Sequence, residues 1–279
     1  MTLVVRGEGL TATVDPGRGA KIVSLVDAAG VEWLAQADRT SIPAPGTAFV
    51  AAEMAGWDEC APSIVACTVD GVPIPDHGEL WDVPFDTQGD TTSATGTSLG
   101  FRFARTIAPT AEGLLLSYRA ETTGGPIPFL WAAHPQFAAP PGTRVELPPQ
   151  ARSVVDVQDD DLPSRPWSSA LDGIDSVRPG GTRKWYVDPA QTVQGARLVR
   201  GDGPVLTMEW SVRCSYLGVW FDHGAYSREP VIAIEPSTGY FDSLATAVRS
   251  GRVATIEPGR PLTWWVRLTA GPPTRDPRL

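Results

Sequence analysis

The sequence predicts a single all-β domain spanning residues 1–279, and three observations carry that expectation. The 28 glycines and 27 prolines are spread evenly, punctuating the chain without forming a linker. Between them recur short β-branched and aromatic runs of strand length. Only one segment carries clear helix start and stop signals: Asp242 as N-cap, 243–249 as body and Gly251 as stop. No composition shift or internal repeat divides the chain, which is long enough for one large core.

In order, residues 10–14 alternate and turn at Asp15-Pro16-Gly17, and runs at 21–26 and 31–34 complete a meander. Residues 40–48 read as a proline-rich loop, and 51–56 fit either one helical turn or an irregular strand. The polar stretch 57–62 reads as loop, and Pro73 and Pro75 forbid a regular element in 71–81. Exposed hairpin strands are expected over 85–103, and longer strands over 114–120 and 129–133, the second ending at His134-Pro135. Residues 158–181 are a polar loop in which Asp159-Asp160-Asp161 lacks the ligand spacing of a calcium loop and reads as solvated surface. Strands resume at 185–187, 196–199, 205–210, 216–220, 231–234 and 263–268.

The net charge of -9 and the absence of Lys/Arg runs argue against nucleic acid and anionic membranes as partners. Three cysteines without ligand spacing suit a reducing compartment better than a zinc site or a disulfide framework. Residues 1–10 do not form a signal peptide, and no run approaches the ~20 apolar residues of a membrane span. The expectation is a soluble, cytoplasmic protein, monomer or homodimer, acting on a small molecule.

Candidate chemistry centres on Glu235, which ends the apolar run Val231-Ile232-Ala233-Ile234 and precedes Pro236, which is expected to stop the ladder and hold the carboxylate at a strand rim. Of the three histidines, His77 lies beside Gly78 and His134 beside Pro135, while His223 reads as a surface turn. A carboxylate and an imidazole suit proton transfer between oxygens. The same residue types could instead hold iron as a two-histidine, one-carboxylate triad, and spacing does not separate the two. Trp57, Trp81, Trp131 and Trp220 lie near polar turns, as a sugar site would need, whereas Trp210, Trp264 and Trp265 read as core.

Asp76-His77-Gly78-Glu79-Leu80-Trp81, Ala133-His134-Pro135-Gln136-Phe137 and Ile234-Glu235-Pro236-Ser237-Thr238-Gly239 resemble, in order and spacing, three signature stretches of the galactose mutarotase-like superfamily, the aldose 1-epimerases and their relatives. The opening 19–27 is similar to that family's first hairpin, so the resemblance covers nearly the whole chain. It implies a large antiparallel β-sandwich (a super-sandwich) with few short helices and a sugar groove across one sheet. It further implies Glu235 as the base at the anomeric hydroxyl, His134 as the acid at the ring oxygen, and His77 orienting the sugar, with no metal or cofactor. Trp57, Asp58, Glu79, Trp81 and Lys184 are the expected substrate-binding residues. Two departures stand out. Met54-Ala55-Gly56-Trp57 replaces a substrate-binding arginine, and Lys184 falls where a sugar-binding aspartate is expected, so that Lys184 or Arg183 could meet an acidic or phosphorylated sugar. The competing readings are a non-catalytic carbohydrate-binding protein on the same fold, a glycoside-cleaving or lyase enzyme pairing Glu235 with Asp58 or Glu79, and a metalloenzyme.

Overall fold

Two antiparallel sheets pack face to face in the computed structural model, which describes residues 2–37, 44, 47–122, 124–201 and 203–272. The loop expected over 40–48 falls largely outside the described residues, at 40–43, 45 and 46. The eleven-stranded sheet runs, neighbour to neighbour, through Leu3–Arg6, Leu10–Asp15, Lys21–Asp27, Trp57–Cys60, Ala132–Pro135, Val231–Ser237, Tyr216–Asp222, Thr182–Val187, Ser153–Asp156 and Ser164–Pro166. Phe137–Ala138 pairs beside Val231–Ser237. The eight-stranded sheet runs Thr143–Glu146, Gly195–Arg200, Val205–Trp210, Leu262–Gly271, Leu114–Thr122, Phe101–Pro109, Thr91–Gly96 and Asp86–Gln88.

Strand alternation explains the layers, because successive side chains point to opposite faces. In Leu114–Thr122, Leu114, Leu116, Tyr118 and Ala120 point inward, and Leu268, Val266 and Trp264 of the neighbouring strand do the same opposite them. Tyr118 stacks on Trp264 at 5.3 Å, and Trp131 of the facing sheet meets Trp264 at 5.1 Å. Such aromatics dominate the burial energy of a sandwich core.

Several expectations need correction. Residues 57–60 are not loop but a central strand, every residue of it buried. Its polar residues read as loop because the cations that pair its carboxylates lie far away in the chain. Glu59 points between the sheets, where Arg105 meets it at 2.6 Å and Trp131 and Tyr118 donate to it. Val72–Ile74 is a strand despite Pro73, tolerated because it belongs to a two-stranded hairpin with Cys67–Val69. Pro236 does not end its strand: it sits opposite Leu217, and Ser237 carries the pairing on to Tyr216 and Ala132. One missing N–H removes one rung, not the ladder.

Residues 31–34 contribute only isolated bridges, at Glu32 and Leu34. The run 129–133 is split between Ile127–Phe129 and Ala132–Pro135, so His134 lies within a strand. The polar stretch 158–181 includes a short strand, Ser164–Pro166, and one turn of 3-10 helix, Ile174–Ser176, with Asp159, Asp160 and Asp161 exposed. Trp265 is half-buried on the outer face under Arg267 rather than in the core.

Helical structure among the described residues is limited to that turn, Phe49–Ala52 and Leu244–Arg249. The cap of Leu244–Arg249 is Ser243, which accepts from Thr246 N–H, not Asp242. No helix among the described residues is long and apolar enough to cross a membrane.

The Glu59–Arg105 pair is sealed between the sheets, so removing one partner leaves a charge without water or counter-ion. Arg105→Met is expected to lower unfolding stability by about 3–5 kcal/mol in urea titrations, with Glu59→Met/Arg105→Met recovering much of the loss. Equal stability of Arg105→Met and the parent would contradict this account of the core.

Candidate active site

The face of the eleven-stranded sheet turned away from the core collects the polar residues of four strands. In Val231–Ser237, Ile232 and Ile234 enter the core while Glu235 points the other way. In Thr182–Val187, Trp185 and Val187 face in and Lys184 and Tyr186 face out. Trp220 and Gly218 take the same outer side of Tyr216–Asp222, and His134 that of Ala132–Pro135. Register then fixes who meets whom: Gly218 lies opposite both Glu235 and Tyr186, and Lys184 opposite Trp220.

Above this face lies a groove of about 410 Å³, lined among others by Met54, His77, His134, Lys184, Trp220 and Asp242. Glu235 lies beneath His134 and Lys184, fully buried and not itself lining the groove. One carboxylate oxygen, Oε2, accepts from Lys184 Nζ at 2.6 Å. The other, Oε1, has no hydrogen-bond partner and lies 3.8 Å from His134 Nε2. Burial pushes the Glu235 carboxyl above its ordinary range, and Lys184 pulls against that rise.

His134 is nearly as enclosed. Burial first, then the cationic charge of His77, Lys184 and Lys21, drives its pKa well below the usual imidazole value, so the ring is neutral at neutral pH. The Gln136 amide lies 3.0 Å from Nδ1 and donates to it, which leaves the ring proton on Nε2, facing Glu235. A proton acceptor and a proton donor thus face each other just beneath the groove.

His77 comes from a tight turn. It has φ 57° and is followed by Gly78 at φ 74°, where a Cβ would sit 2.0 Å from the Ala61 carbonyl oxygen. Asp76 holds Nδ1 at 2.8 Å, leaving Nε2 to the groove, and the hydrogen bond to His77 lowers the Asp76 pKa. The ring stacks on Phe49 at 3.7 Å and stands edge-on to His134 at 5.4 Å. The short helix Phe49–Ala52 therefore serves as a wall for both histidines.

His77, His134, Lys184 and Glu235 thus come together, but the other expected binding residues do not. Trp57 belongs to the core, edge-on to Phe137 at 6.2 Å, because its position in the strand turns it away from Asp58. Asp58 is on the groove side but sealed, 3.1 Å from Lys21, and burial raises its pKa against the pull of that lysine. Glu79 caps the loop at Thr97 and Ser98, accepting from their N–H and hydroxyl groups. Together with Trp81, it lines a neighbouring cavity on the far side of Phe49. Trp131 is core, donating to Glu59.

Lys184 is no surface cation, being held by Glu235 and by Asp242 at 2.7 Å. Arg183 lies outside the groove on Asp156. His223 is half-buried, its ring against the Val177 carbonyl. The two histidines and Glu235 do not form a ligand set, and among the described residues no group of three or more His, Cys, Asp or Glu could hold a metal ion.

Sequence reading missed Asp242, Phe49, Gln136 and Tyr186. Asp242 sits after Phe241 at φ 64°, with its carbonyl accepting from Ile64 and Val65 N–H, which pins the segment over the sheet. Its Oδ1 takes Lys184 and the Tyr186 hydroxyl, leaving Oδ2 toward the groove. Only Tyr186 had a usable signal, two residues from Lys184 on the same strand face.

No protein-family model matches the chain, and no curated protein matches it by sequence. Solved structures do match. A protein from Synechocystis sp. PCC 6803 superposes with TM-score 0.78 at 16% identity, covering 97% of this chain and 96% of its own. A galactose mutarotase-like protein from Lactobacillus casei gives TM-score 0.75 at 17% identity over 97% and 100% of the two chains. A galactose mutarotase related enzyme from Lactobacillus acidophilus gives 0.68 at 13% identity over 100% of both. The chain has the galactose mutarotase-like sandwich fold.

The hydrogen-bond pattern makes a spectroscopic prediction. Nitrogen-resolved NMR of the His134 ring is expected to show a neutral Nε2–H tautomer from about pH 8 down through about pH 6.5, where a free histidine is half protonated. A midpoint at or above that ordinary value would contradict the neutral ring.

Proposed function

We propose that the protein is an aldose 1-epimerase, interconverting the α and β anomers of an uncharged aldose. The observation that carries this reading is the unpartnered, buried Glu235 Oε1 facing His134 Nε2 at 3.8 Å, directly beneath the groove that His134 and Lys184 line. Structures of the same fold include a protein from Escherichia coli described as a candidate aldose 1-epimerase, at 13% identity.

In the proposed reaction, Glu235 Oε1 takes the proton of the anomeric hydroxyl. The C1–O1 bond gains double-bond character, the bond from C1 to the ring oxygen breaks, and the free aldehyde forms. The departing ring oxygen develops alkoxide character and takes the proton that His134 carries on Nε2. A neutral imidazole can serve here because an alkoxide is a strong base, as it does in other enzymes with a depressed histidine pKa. Rotation about C1–C2 presents the other face of the aldehyde. Reclosure runs both proton transfers backwards and restores Glu235 and His134. His77, oriented by Asp76, and Asp242 Oδ2 hold ring hydroxyls, and Trp220 with Tyr226 gives an aromatic rim for the apolar face of a pyranose.

The charge balance favours a neutral substrate. Lys184, the one lysine or arginine among the described residues lining the groove, is already matched by Glu235 and Asp242, and Asp76 adds a further carboxylate. Glycoside cleavage would pair Glu235 with Asp58 or Glu79, but Asp58 is sealed against Lys21 and Glu79 is held by Thr97 and Ser98. A carbohydrate-binding role without turnover is the second reading, favoured by Met54 in the groove where an arginine is expected.

Magnetisation exchange between anomers, measured by NMR on a panel of neutral, acidic and phosphorylated aldoses, separates these readings. Acceleration is expected for a neutral aldose, falling at least ~100-fold in Glu235→Gln while saturation transfer still reports binding. Binding without acceleration in the parent protein would favour the carbohydrate-binding reading. Full activity in Glu235→Gln would remove the assignment of the base.

A further inference from the structure

A carboxylate buried in a sheet faces two difficulties as a base. Without water it prefers its proton, and its terminal torsion is broad, so nothing intrinsic fixes where each oxygen points. Glu235 meets both. Its surroundings from every packed element are His134 on Ala132–Pro135, Cys60 on Trp57–Cys60, Lys184 and Tyr186 on Thr182–Val187, Asp242 ahead of Leu244–Arg249, and His77 from its turn. Gly218, directly opposite on Tyr216–Asp222, contributes no side chain. Of these, Lys184 alone both bonds to the carboxylate and carries a positive charge at neutral pH against it, at 2.6 Å from Oε2.

Lys184 is itself held. Burial would discharge it, but Asp242 and Glu235 together hold its pKa above the ordinary lysine value. Nζ lies 2.7 Å from Asp242 Oδ1, and the Tyr186 hydroxyl donates to that same oxygen at 2.8 Å. Glycine at 218 leaves room for this crossing: a Cβ there would come tightly, at 3.1 Å, against the Tyr186 ring and into ordinary contact, at 3.4 Å, with Glu235 Oε2 and Lys184 Cε. A doubly paired ammonium of this kind is no nucleophile, and with both carboxylates satisfied it is a poor anchor for an anionic sugar.

We propose that Lys184 is a positioning residue for Glu235, with Asp242 as its counter-charge: it keeps the buried carboxylate ionised and fixes the carboxylate plane so that Oε1 faces His134. The catalytic meaning of this hold rests on Glu235 being the base; the hold itself does not. Lys184 and Asp242 act in opposite directions on Glu235, since Lys184 stabilises its charge and Asp242 both repels that charge and competes for the ammonium.

The test is the ionisation of Glu235, followed through its carboxyl carbon by NMR in the full chain with labelled glutamate. Lys184→Met is expected to raise the midpoint by more than about one pH unit. Lys184→Arg is expected to return it most of the way, and Asp242→Asn to lower it below the parent value. The last two variants retain a cation beside Glu235 and carry the test if Lys184→Met does not fold. An unchanged midpoint in Lys184→Met, or a midpoint in Asp242→Asn that stays put or rises, overturns the proposal. The acid limb of kcat/KM, read on the same variants, is expected to move with the midpoint. Opposite midpoint shifts with an unmoved limb, or with no sugar turned over at all, would leave Lys184's hold standing and remove Glu235 as the base.

Discussion

Glu235 has no contact with water, and a carboxylate so placed needs a cation at bonding distance or it takes up a proton. Lys184 meets that need at 2.6 Å. Much of the local architecture follows from the requirement. Glycine at 218 leaves space where the lysine crosses to the neighbouring strand, a Cβ there pressing on the Tyr186 ring at 3.1 Å. Asp242 reaches back over the sheet to give the ammonium a second carboxylate, and its backbone carbonyl, accepting from Ile64 and Val65 N–H, holds it there. With Oε2 so occupied, Oε1 is the oxygen left to do chemistry.

The same sheet solves two problems with one set of strands. Its inner face supplies the aromatic core and encloses a second buried ion pair, Glu59 with Arg105. Its outer face carries the groove. Asp58 and Glu59 are adjacent and both buried, yet they serve opposite faces, one against Lys21 and one between the sheets. Each charge is matched on its own side, so the strand runs through the centre of the molecule without an unpaired carboxylate. His134 is treated differently: it is kept neutral by burial and by nearby positive charge. A lysine-paired carboxylate beside an uncharged imidazole is the consequence.

The alternation of apolar runs made the strands legible, and the three motif stretches pointed to Glu235, His134 and His77, which the fold gathers around one groove. Long-range partners were not legible. Trp57 and Glu79 stand near His77 in sequence, but strand parity turns Trp57 into the core and the Thr97–Ser98 backbone captures Glu79. Asp242 looked like a helix cap because Ser243, its neighbour, is one. Its carboxylate is instead spent on a lysine 58 positions earlier, a pairing that neither periodicity nor local propensity encodes. Pro236 misled for a related reason: a proline's local preference is to end a strand, and pairing on both sides of Val231–Ser237 overrides it.

The pH dependence of kcat/KM for anomer exchange of a neutral aldose tests the central claim most directly. An ionised Glu235 in a buried site and a neutral His134 require an acid limb above the ordinary glutamate range near ~4.3, because burial raises that carboxyl. They also require a rate that stays level as pH rises through ~6.5, because no imidazolium is being lost. A rate that falls as pH climbs through that value would mean that a charged histidine is the acid. The arrangement of neutral donor and lysine-held carboxylate would then be wrong.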